Sequence, residues 1–220
     1  MTALQVNILL LSLGAIQGIL LFLLLFKKRK SIPGYGFLAA YLAVMLLQVT
    51  LKIAGKLWLM QNIDPLYQFS YQLPFIYGPL LFLFVIRFTG YRPLRIKDIF
   101  HFAPGIIVIG VWLFTRPNQY LPGVFSIFFH VVWAAVAQVV SIVAYHLVAL
   151  YILKKYARQT TANGNAPALL RMKWLKQFTV LSMVVCSVVA VVICLMYMNN
   201  PGWRDVRFGF LALTFFIYWI

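Results

Sequence analysis

Residues 6–26 read VNILLLSLGAIQGILLFLLLF and are followed at once by KKRK at residues 27–30. An α-helix rises about 1.5 Å per residue, so this apolar run is long enough to cross a hydrocarbon core about 30 Å thick. A signal peptide carries its basic residues before a shorter apolar stretch, which is the reverse of this order. The stretch therefore predicts a retained membrane-spanning helix whose N-terminus lies outside.

The composition of the whole chain is that of a membrane protein. Hydrophobic residues make up 64% of the 220 residues and charged residues 10%, whereas soluble domains carry about 25% charged residues. The chain has no glutamate, and its acidic residues number three. With several apolar runs of about 20 residues, this balance predicts an all-α fold, a polytopic membrane helical bundle.

Seven apolar runs alternate with polar loops along the chain. They predict a single integral membrane domain with six complete spans and an incomplete seventh. The predicted spans are residues 6–26, 36–53, 66–86, 99–115, 124–153, 177–198 and 208–220. The last run covers only about 20 Å at the helical rise, so either it does not cross the bilayer or the natural polypeptide continues beyond Ile220, and we expect the second.

Basic residues are divided unequally between the two sides of the predicted bundle. Of the 19 Lys and Arg residues, fourteen fall in the first, third and fifth loops and five on the opposite side. Because cytoplasmic loops are enriched in Lys and Arg, the asymmetry puts the N-terminus outside and those three loops in the cytoplasm. Topology and contact with anionic lipid headgroups thus explain the net charge of +16 without nucleic acid.

Few residues suit catalysis or metal binding. Without glutamate, an H-E-x-x-H zinc site is excluded, and the three histidines lack metal-ligand spacing. Asp98 follows Lys97 in a basic loop, where we expect a solvated ion pair. The sequence predicts no enzyme activity, no cofactor, and no catalytic or metal site.

Polar side chains within the spans suggest a ligand pocket in the outer half of the bundle. Those of the fifth span other than Trp133 share a sector of about 80° at 100° per residue, and the third span adds two glutamines one turn apart. The candidate pocket residues are Gln68, Gln72, His130, Trp133, Gln138, Ser141 and Tyr145. His146 points away from this sector. The alternative for each residue is an ordinary interhelical hydrogen bond, which is worth about 0.6 kcal/mol on average.

The third span contains two prolines, Pro74 and Pro79, with Gly78 between them. A proline within a helix removes one backbone donor and kinks the helix. In a membrane such a break persists only where neighbouring groups satisfy the freed carbonyls. Pro74, Gly78 and Pro79 therefore predict a kinked third helix.

Three motifs occur in a fixed order: GAIQG (Gly14–Gly18), LPFIYGPLLFLF (Leu73–Phe84) and HFAP (His101–Pro104). This ordered set resembles the N-terminal membrane region of bacterial AraC-type transcription regulators, in which a seven-span region precedes a cytoplasmic helix-turn-helix domain. The resemblance extends over most of the chain. Both helix-turn-helix units are absent from this sequence, so no residue here is assigned a DNA-binding role.

The resemblance implies a sensory module in the bacterial inner (cytoplasmic) membrane that couples an envelope or membrane signal to a cytoplasmic DNA-binding domain. The expected partners are the lipid bilayer, anionic headgroups at the basic loops, a small-molecule signal, and a second copy in a homodimer. Two alternatives remain open, a small multi-span transporter or channel and the sensor part of a histidine kinase. The prolines and the polar sector suit a transporter, but charged residues deep in a span and an inverted repeat are lacking.

Overall fold

The computed structural model describes residues 3–58, 69–115, 131–162, 172–184 and 186–188. Within these ranges all regular secondary structure is helical. The elements are α1 (Ala3–Lys28), α2 (Tyr35–Trp58), α3 (Pro74–Thr89), a short 3-10 helix η1 (Ile96–Phe102), α4 (Ala103–Thr115), α5 (Val131–Ala162) and α6 (172–184). The all-α prediction is confirmed for the described part of the chain.

One helical segment among the described residues is long and apolar enough to cross a membrane, by length and composition. It is Val136–Arg158 within α5, with 23 residues and a length of about 35 Å at the helical rise. Tyr35–Leu51 and Pro74–Thr89 are shorter apolar helices. The number of spans in the whole chain stays a prediction.

The predicted third span, residues 66–86, is interrupted by a turn. Residues 71–73 form that turn, and Pro74 is the first residue of α3, with Leu73 as its N-cap. A proline at this position forfeits no helical hydrogen bond, because the first backbone N–H groups of a helix have no partner within it. Pro74 therefore starts a helix, whereas Pro79 lies inside one.

Helix α3 lies at the centre of the described bundle. It packs against α2 and α5, while α1 packs against α2. Twelve of its 16 residues are buried. Ile152 and Leu153 of α5 and Leu175 and Phe178 of α6 belong to the same hydrophobic core. Apolar side chains cover nearly the whole circumference of α3, which is typical of a helix enclosed by its neighbours.

The turn between α1 and α2 is pressed against the C-terminal end of α3. Gly34 has a φ of +92°, and a Cβ atom there would lie 3.0 Å from the carbonyl oxygen of Phe84 and 3.1 Å from the amide nitrogen of Phe88. Glycine alone fits both the left-handed backbone and the close approach. This contact brings the basic cluster at residues 27–30 beside the end of α3.

The described Lys and Arg side chains all lie at that same end of the bundle. Lys155 of α5 is drawn to it by the ring of Tyr91, whose centroid lies 5.2 Å from the Lys155 ammonium nitrogen. α6 begins there as well: Ser182 contacts His146 of α5, and Met172 and Leu175, nearer the start of α6, belong to the same core cluster as Ile152 and Leu153. The residues are Lys27, Lys28, Arg29, Lys30, Arg87, Arg92, Arg95, Lys97, Lys154, Lys155, Arg158, Lys173 and Lys176.

Candidate functional site

The residues predicted to line a ligand pocket are described only in part. Gln68 and His130 lie outside the described residues, and for Trp133 the structure describes only the backbone, which is part of α5. The side chains described are those of Gln72, Gln138, Ser141 and Tyr145. They lie along α5 and in the turn before α3, so this part of the bundle is the candidate site.

The backbone carbonyl groups of Ser70 and Tyr71 lie at the turn before α3. Pro74 has no N–H to donate to the Ser70 carbonyl four residues earlier. The amide of Phe75 donates to the carbonyl of Gln72, three residues earlier, at 3.3 Å, where a regular α-helix would use the Tyr71 carbonyl. In a low-dielectric interior, carbonyls at such a turn accept hydrogen bonds from other elements.

Glutamines from two neighbouring helices satisfy those carbonyls. Gln48 Nε2, on α2, donates to the Ser70 carbonyl at 3.0 Å. Gln138 Nε2, on α5, donates to the Tyr71 carbonyl. We call Gln48 and Gln138, together with the turn 71–73 that they hold, the glutamine clamp. For Gln138 the structure gives the interhelical hydrogen bond that was the alternative to a ligand contact.

Both polar atoms of the Gln48 side-chain amide form hydrogen bonds. Its Oε1 accepts a hydrogen bond from the Tyr77 hydroxyl at 2.5 Å, while its Nε2 holds Ser70. Gln48 and Tyr77 are both buried. The Gln48 side chain therefore links Ser70, before the turn, to Tyr77, after it.

Gln72, in the same turn, has a side-chain amide oxygen that accepts no hydrogen bond from the described residues. Its side chain is buried, and its Oε1 has no hydrogen-bond partner among the described residues. A buried amide oxygen without a donor costs about 1–3 kcal/mol. Gln72 thus has a buried acceptor atom available for a ligand N–H or O–H group.

Tyr145 fills the space between α3 and η1. Its hydroxyl lies 3.1 Å from His101 Nδ1 and 3.3 Å from the His101 carbonyl oxygen. A Cβ atom at Gly78 would lie 2.5 Å from Tyr145 Cδ2, so the absent side chain of Gly78 makes room for the ring. The two rings also pack on Phe82, with centroids 4.8 Å (His101) and 5.9 Å (Tyr145) away. Gly78, predicted as part of a kink, is a close-packing site between α3 and α5.

A second polar cluster joins α2, α5 and α6 in the core. His146 is fully buried; its Nδ1 lies 2.7 Å from the Ile142 carbonyl oxygen and its Nε2 3.0 Å from Ser182 Oγ. A carbonyl only accepts, so in the neutral imidazole Nδ1 donates to Ile142 and Nε2 accepts from the Ser182 hydroxyl. Ser182 Oγ is also 3.4 Å from the Tyr41 hydroxyl.

This His146–Ser182 pair has the arrangement of a base next to a nucleophile. Both side chains are fully buried in the bundle, however, which separates them from any substrate. The cluster instead fastens α6 to α2 and α5. His146 was expected to point away from the pocket sector, and helical geometry alone gave no sign of its partner on α6.

Asp98 forms a buried ion pair at the basic end. The Arg92 guanidinium binds both of its carboxylate oxygens, at 2.5 and 2.9 Å, and the Arg95 backbone N–H donates to one of them at 2.8 Å. We expected a solvated pair beside Lys97, but Asp98 is 6% exposed and its partner is Arg92. The hydrogen bonds from Arg92 and then from Arg95 lower the pKa of Asp98 from 3.8 to about 2.

Neither metal-ligating groups among the described residues nor known relatives identify what this site binds. Among the residues that the structure describes, no group of three or more His, Cys, Asp or Glu side chains could hold a metal ion. No family model, no curated protein and no solved structure matches the chain. Function has therefore to be inferred from the residues and their contacts.

Proposed function

We propose that the chain is the sensory module of a membrane-tethered AraC-type transcription regulator, folded as a multi-span bundle in the bacterial inner membrane. The observation that carries the proposal is the glutamine clamp, in which a broken helix at the centre of the bundle is held by one side chain from each of two neighbouring helices. Such a junction can rearrange without unfolding a helix. The ordered resemblance of the three motifs supplies the link to transcription.

The outer surface of α1 supports a position within the bilayer. Eight of its large apolar side chains are between 44 and 59% exposed, namely Leu9, Leu13, Ile16, Ile19, Leu20, Leu23, Leu24 and Phe26. Soluble proteins rarely expose contiguous apolar surface on this scale, whereas lipid accepts it at no cost. α1 has 26 residues, or about 39 Å of helix, against a hydrocarbon core of about 30 Å.

The basic end of the bundle supports an orientation. Twelve of the thirteen described Lys and Arg side chains are exposed there, and Asp98, the one described acidic side chain, is already bound by Arg92. Clustered cations of this kind are typical of the cytoplasmic face. α1 ends at this face, so its N-terminus lies outside and signals reach the outer half of the bundle.

The clamp also gives a physical route for a signal. A ligand shifts an equilibrium only by the difference in its affinity for two states. The open Oε1 of Gln72 offers a hydrogen bond to a ligand donor, and Gln72 lies in the turn that Gln48 and Gln138 hold. Binding there changes the angle at the break and, through Gln138, the position of α5.

The coding DNA beyond the Ile220 codon tests the link to transcription. We expect a helix-turn-helix domain in frame or in an adjacent gene. An immediate stop codon with no such neighbour would count heavily against the proposal, and a kinase domain in frame would favour the histidine kinase alternative. Solute flux through the purified protein in proteoliposomes would instead support the transporter alternative.

Complementation tests the clamp itself. Transcripts that change on deletion of the gene are measured by RNA sequencing, and variants of the full natural gene are then reintroduced. Gln138→Leu should fail to restore these transcripts although the protein still inserts. Val140→Leu, on the exposed side of the same helix, is the matched control and should restore them. Restoration by both variants would refute a signalling role for Gln138.

A further inference from the structure

The outward face of α6 lines an open groove on the surface of the described bundle. Its volume is about 730 Å³, which lies within the usual range for ligand sites, about 300–1,000 Å³. Lys173, Gln177, Val180, Leu181 and Val184 line it at the i, i+4, i+7, i+8 spacing of one helical face. The opposite face of α6, with Leu175 and Ser182, is buried in the core.

Polar and apolar residues are separated along the groove. Lys173 and Lys176 stand at the end of α6 that belongs to the basic end of the bundle, and Val180, Leu181 and Val184 follow in the other direction. From Lys173 to Val184 the helix rises about 16 Å. Half of a hydrocarbon core about 30 Å thick is about 15 Å. The apolar part of the groove, from Val180 to Val184, rises about 6 Å, so the groove covers the headgroup region and the first part of the acyl region of one leaflet.

Trp174 forms a fixed wall at the charged end. Its indole ring stacks on the buried Phe178 ring, with centroids 5.8 Å apart and an angle of 17° between the planes, while the residue stays 44% exposed. Tryptophan prefers the depth at which headgroups meet acyl chains. Trp174 thus marks that depth beside the two lysines.

The two lysines have no carboxylate to neutralise them within the described part of the chain. Asp98 is the acidic side chain described there, and Arg92 holds it. Lys173 and Lys176 are both exposed and lie about one turn apart, so they can face one anionic group together. Gln177, one turn along from Lys173, adds an amide N–H donor to the same lining.

We propose that this groove binds one anionic phospholipid of the cytoplasmic leaflet, with its phosphate at Lys173 and Lys176 and an acyl chain along Val180, Leu181 and Val184. This site goes beyond the proposed sensory function and rests only on the membrane orientation given there. A dissolved anion would use the lysines but leave the apolar part of the groove empty. A zwitterionic lipid would fill the groove without matching its charge.

Fluorescence quenching by brominated lipids tests the site, because Trp174 is a reporter inside it. The full chain is reconstituted in nanodiscs with rising fractions of phosphatidylglycerol or phosphatidylcholine that carry brominated acyl chains. The difference between wild type and Trp174→Phe isolates the signal of Trp174. We expect phosphatidylglycerol to quench at a lower fraction, by up to roughly 30-fold, because each lysine contributes about 1 kcal/mol near anionic lipid.

Variants with matched charge separate a specific site from general attraction. Lys173→Gln with Lys176→Gln should remove the preference, while Lys173→Arg with Lys176→Arg should keep it. The control is Lys27→Gln with Lys28→Gln, which loses the same charge at the same end of the bundle, outside the groove, and should also keep it.

Four results would overturn the lipid site. They are equal quenching by the two lipids in the wild type, a preference that survives loss of Lys173 and Lys176, an equal loss in the Lys27 and Lys28 control, and displacement of the lipid by millimolar dissolved phosphate. The last result would assign the lysines to a soluble anion. None of these outcomes depends on a transcription readout, so failure of the sensory proposal is distinguishable.

Discussion

α1 and α3 are both apolar helices, yet they are packed in opposite ways. α3 has twelve of its 16 residues buried, whereas α1 exposes most of its leucines and isoleucines. On α1 the buried positions among the described side chains are Gly14 and Gly18, the small-xxx-small spacing that lets helices approach closely in membranes. In this molecule, small and polar residues indicate which helix surfaces are in contact. The apolar content of a helix does not indicate this, because α1 and α3 are both apolar.

Polar contacts follow the same division. The hydrogen bonds of Gln48, Tyr77, Gln138 and Tyr145 all involve α3 or the segments next to it. In lipid, where hydrophobic association between helices is weak, such bonds and close packing decide which surfaces meet. α3 therefore depends on specific partners, whereas the described part of α1 presents mainly an exposed apolar surface.

Leucine truncation should give the largest contrast between the two helices. Leu81→Ala on α3 removes a fully buried side chain and should cost about 2–5 kcal/mol in the free energy of unfolding. Leu24→Ala on α1 removes one that is 59% exposed and should change it by at most about 0.5 kcal/mol. Reversible unfolding in mixed micelles measures both. Equal losses would mean that α1 is packed like α3.

Adding one methyl group should produce the next largest effect. At Gly78 of α3 a Cβ atom would overlap the Tyr145 ring, so Gly78→Ala should destabilise the bundle by about 1–3 kcal/mol. Gly110→Ala on α4 is the control, because a Cβ there meets no atom within 4 Å. It should be neutral or stabilising by up to about 1 kcal/mol. A neutral Gly78→Ala would show that α3 and α5 are not in close contact.

The hydrogen bonds around α3 should contribute less to the free energy of unfolding than these packing contacts. In a double-mutant cycle of Tyr77→Phe and Gln48→Leu, we expect a coupling energy of about 0.6 kcal/mol, and at most about 1.7 kcal/mol. The same unfolding assay gives the four free energies. A coupling of zero would mean that the two side chains do not interact, and the glutamine clamp would lose one of its supports.

The ion pair at the basic end should have the smallest effect on the whole fold, and it depends on pH. The pKa of Asp98 lies at about 2 in the folded protein, below its usual 3.8. The pair therefore stabilises the segment 92–98 fully above pH 3.8, and this contribution is lost as the pH falls through about 2. Amide hydrogen exchange of η1 measures the loss. In Asp98→Asn, the protection factors of η1, which are corrected for the intrinsic pH dependence of exchange, should no longer change across this pH window.

Part of this architecture could be predicted from the sequence and part could not. The helices follow from apolar runs of sufficient length, and Pro74 and Pro79 indicated a break near the centre. The turn at 71–73 was missed because a proline at the start of a helix and one within it look alike when both lie in one apolar run. Helical periodicity gives the face on which Gln138 or His146 lies.

Helical periodicity does not show which residue a side chain binds on another helix. Gln138 binds a carbonyl 67 positions away, and His146 binds Ser182, 36 positions away. Both depend on how the helices are arranged in three dimensions, and no local pattern encodes that. Asp98 shows the same limit at short range, since its neighbour in sequence is Lys97 but the chain folds Arg92 onto it.

The length of α5 has a mechanical consequence. The helix continues without interruption from Val131 to Ala162, 32 residues, or about 48 Å, against a hydrocarbon core of about 30 Å. In the membrane position proposed above, its last turns would form a rigid arm beyond the hydrocarbon core. A tilt of about 5° swings the tip of such a length by about 4 Å. A small displacement at Gln138 would thereby be enlarged at the Ala162 end.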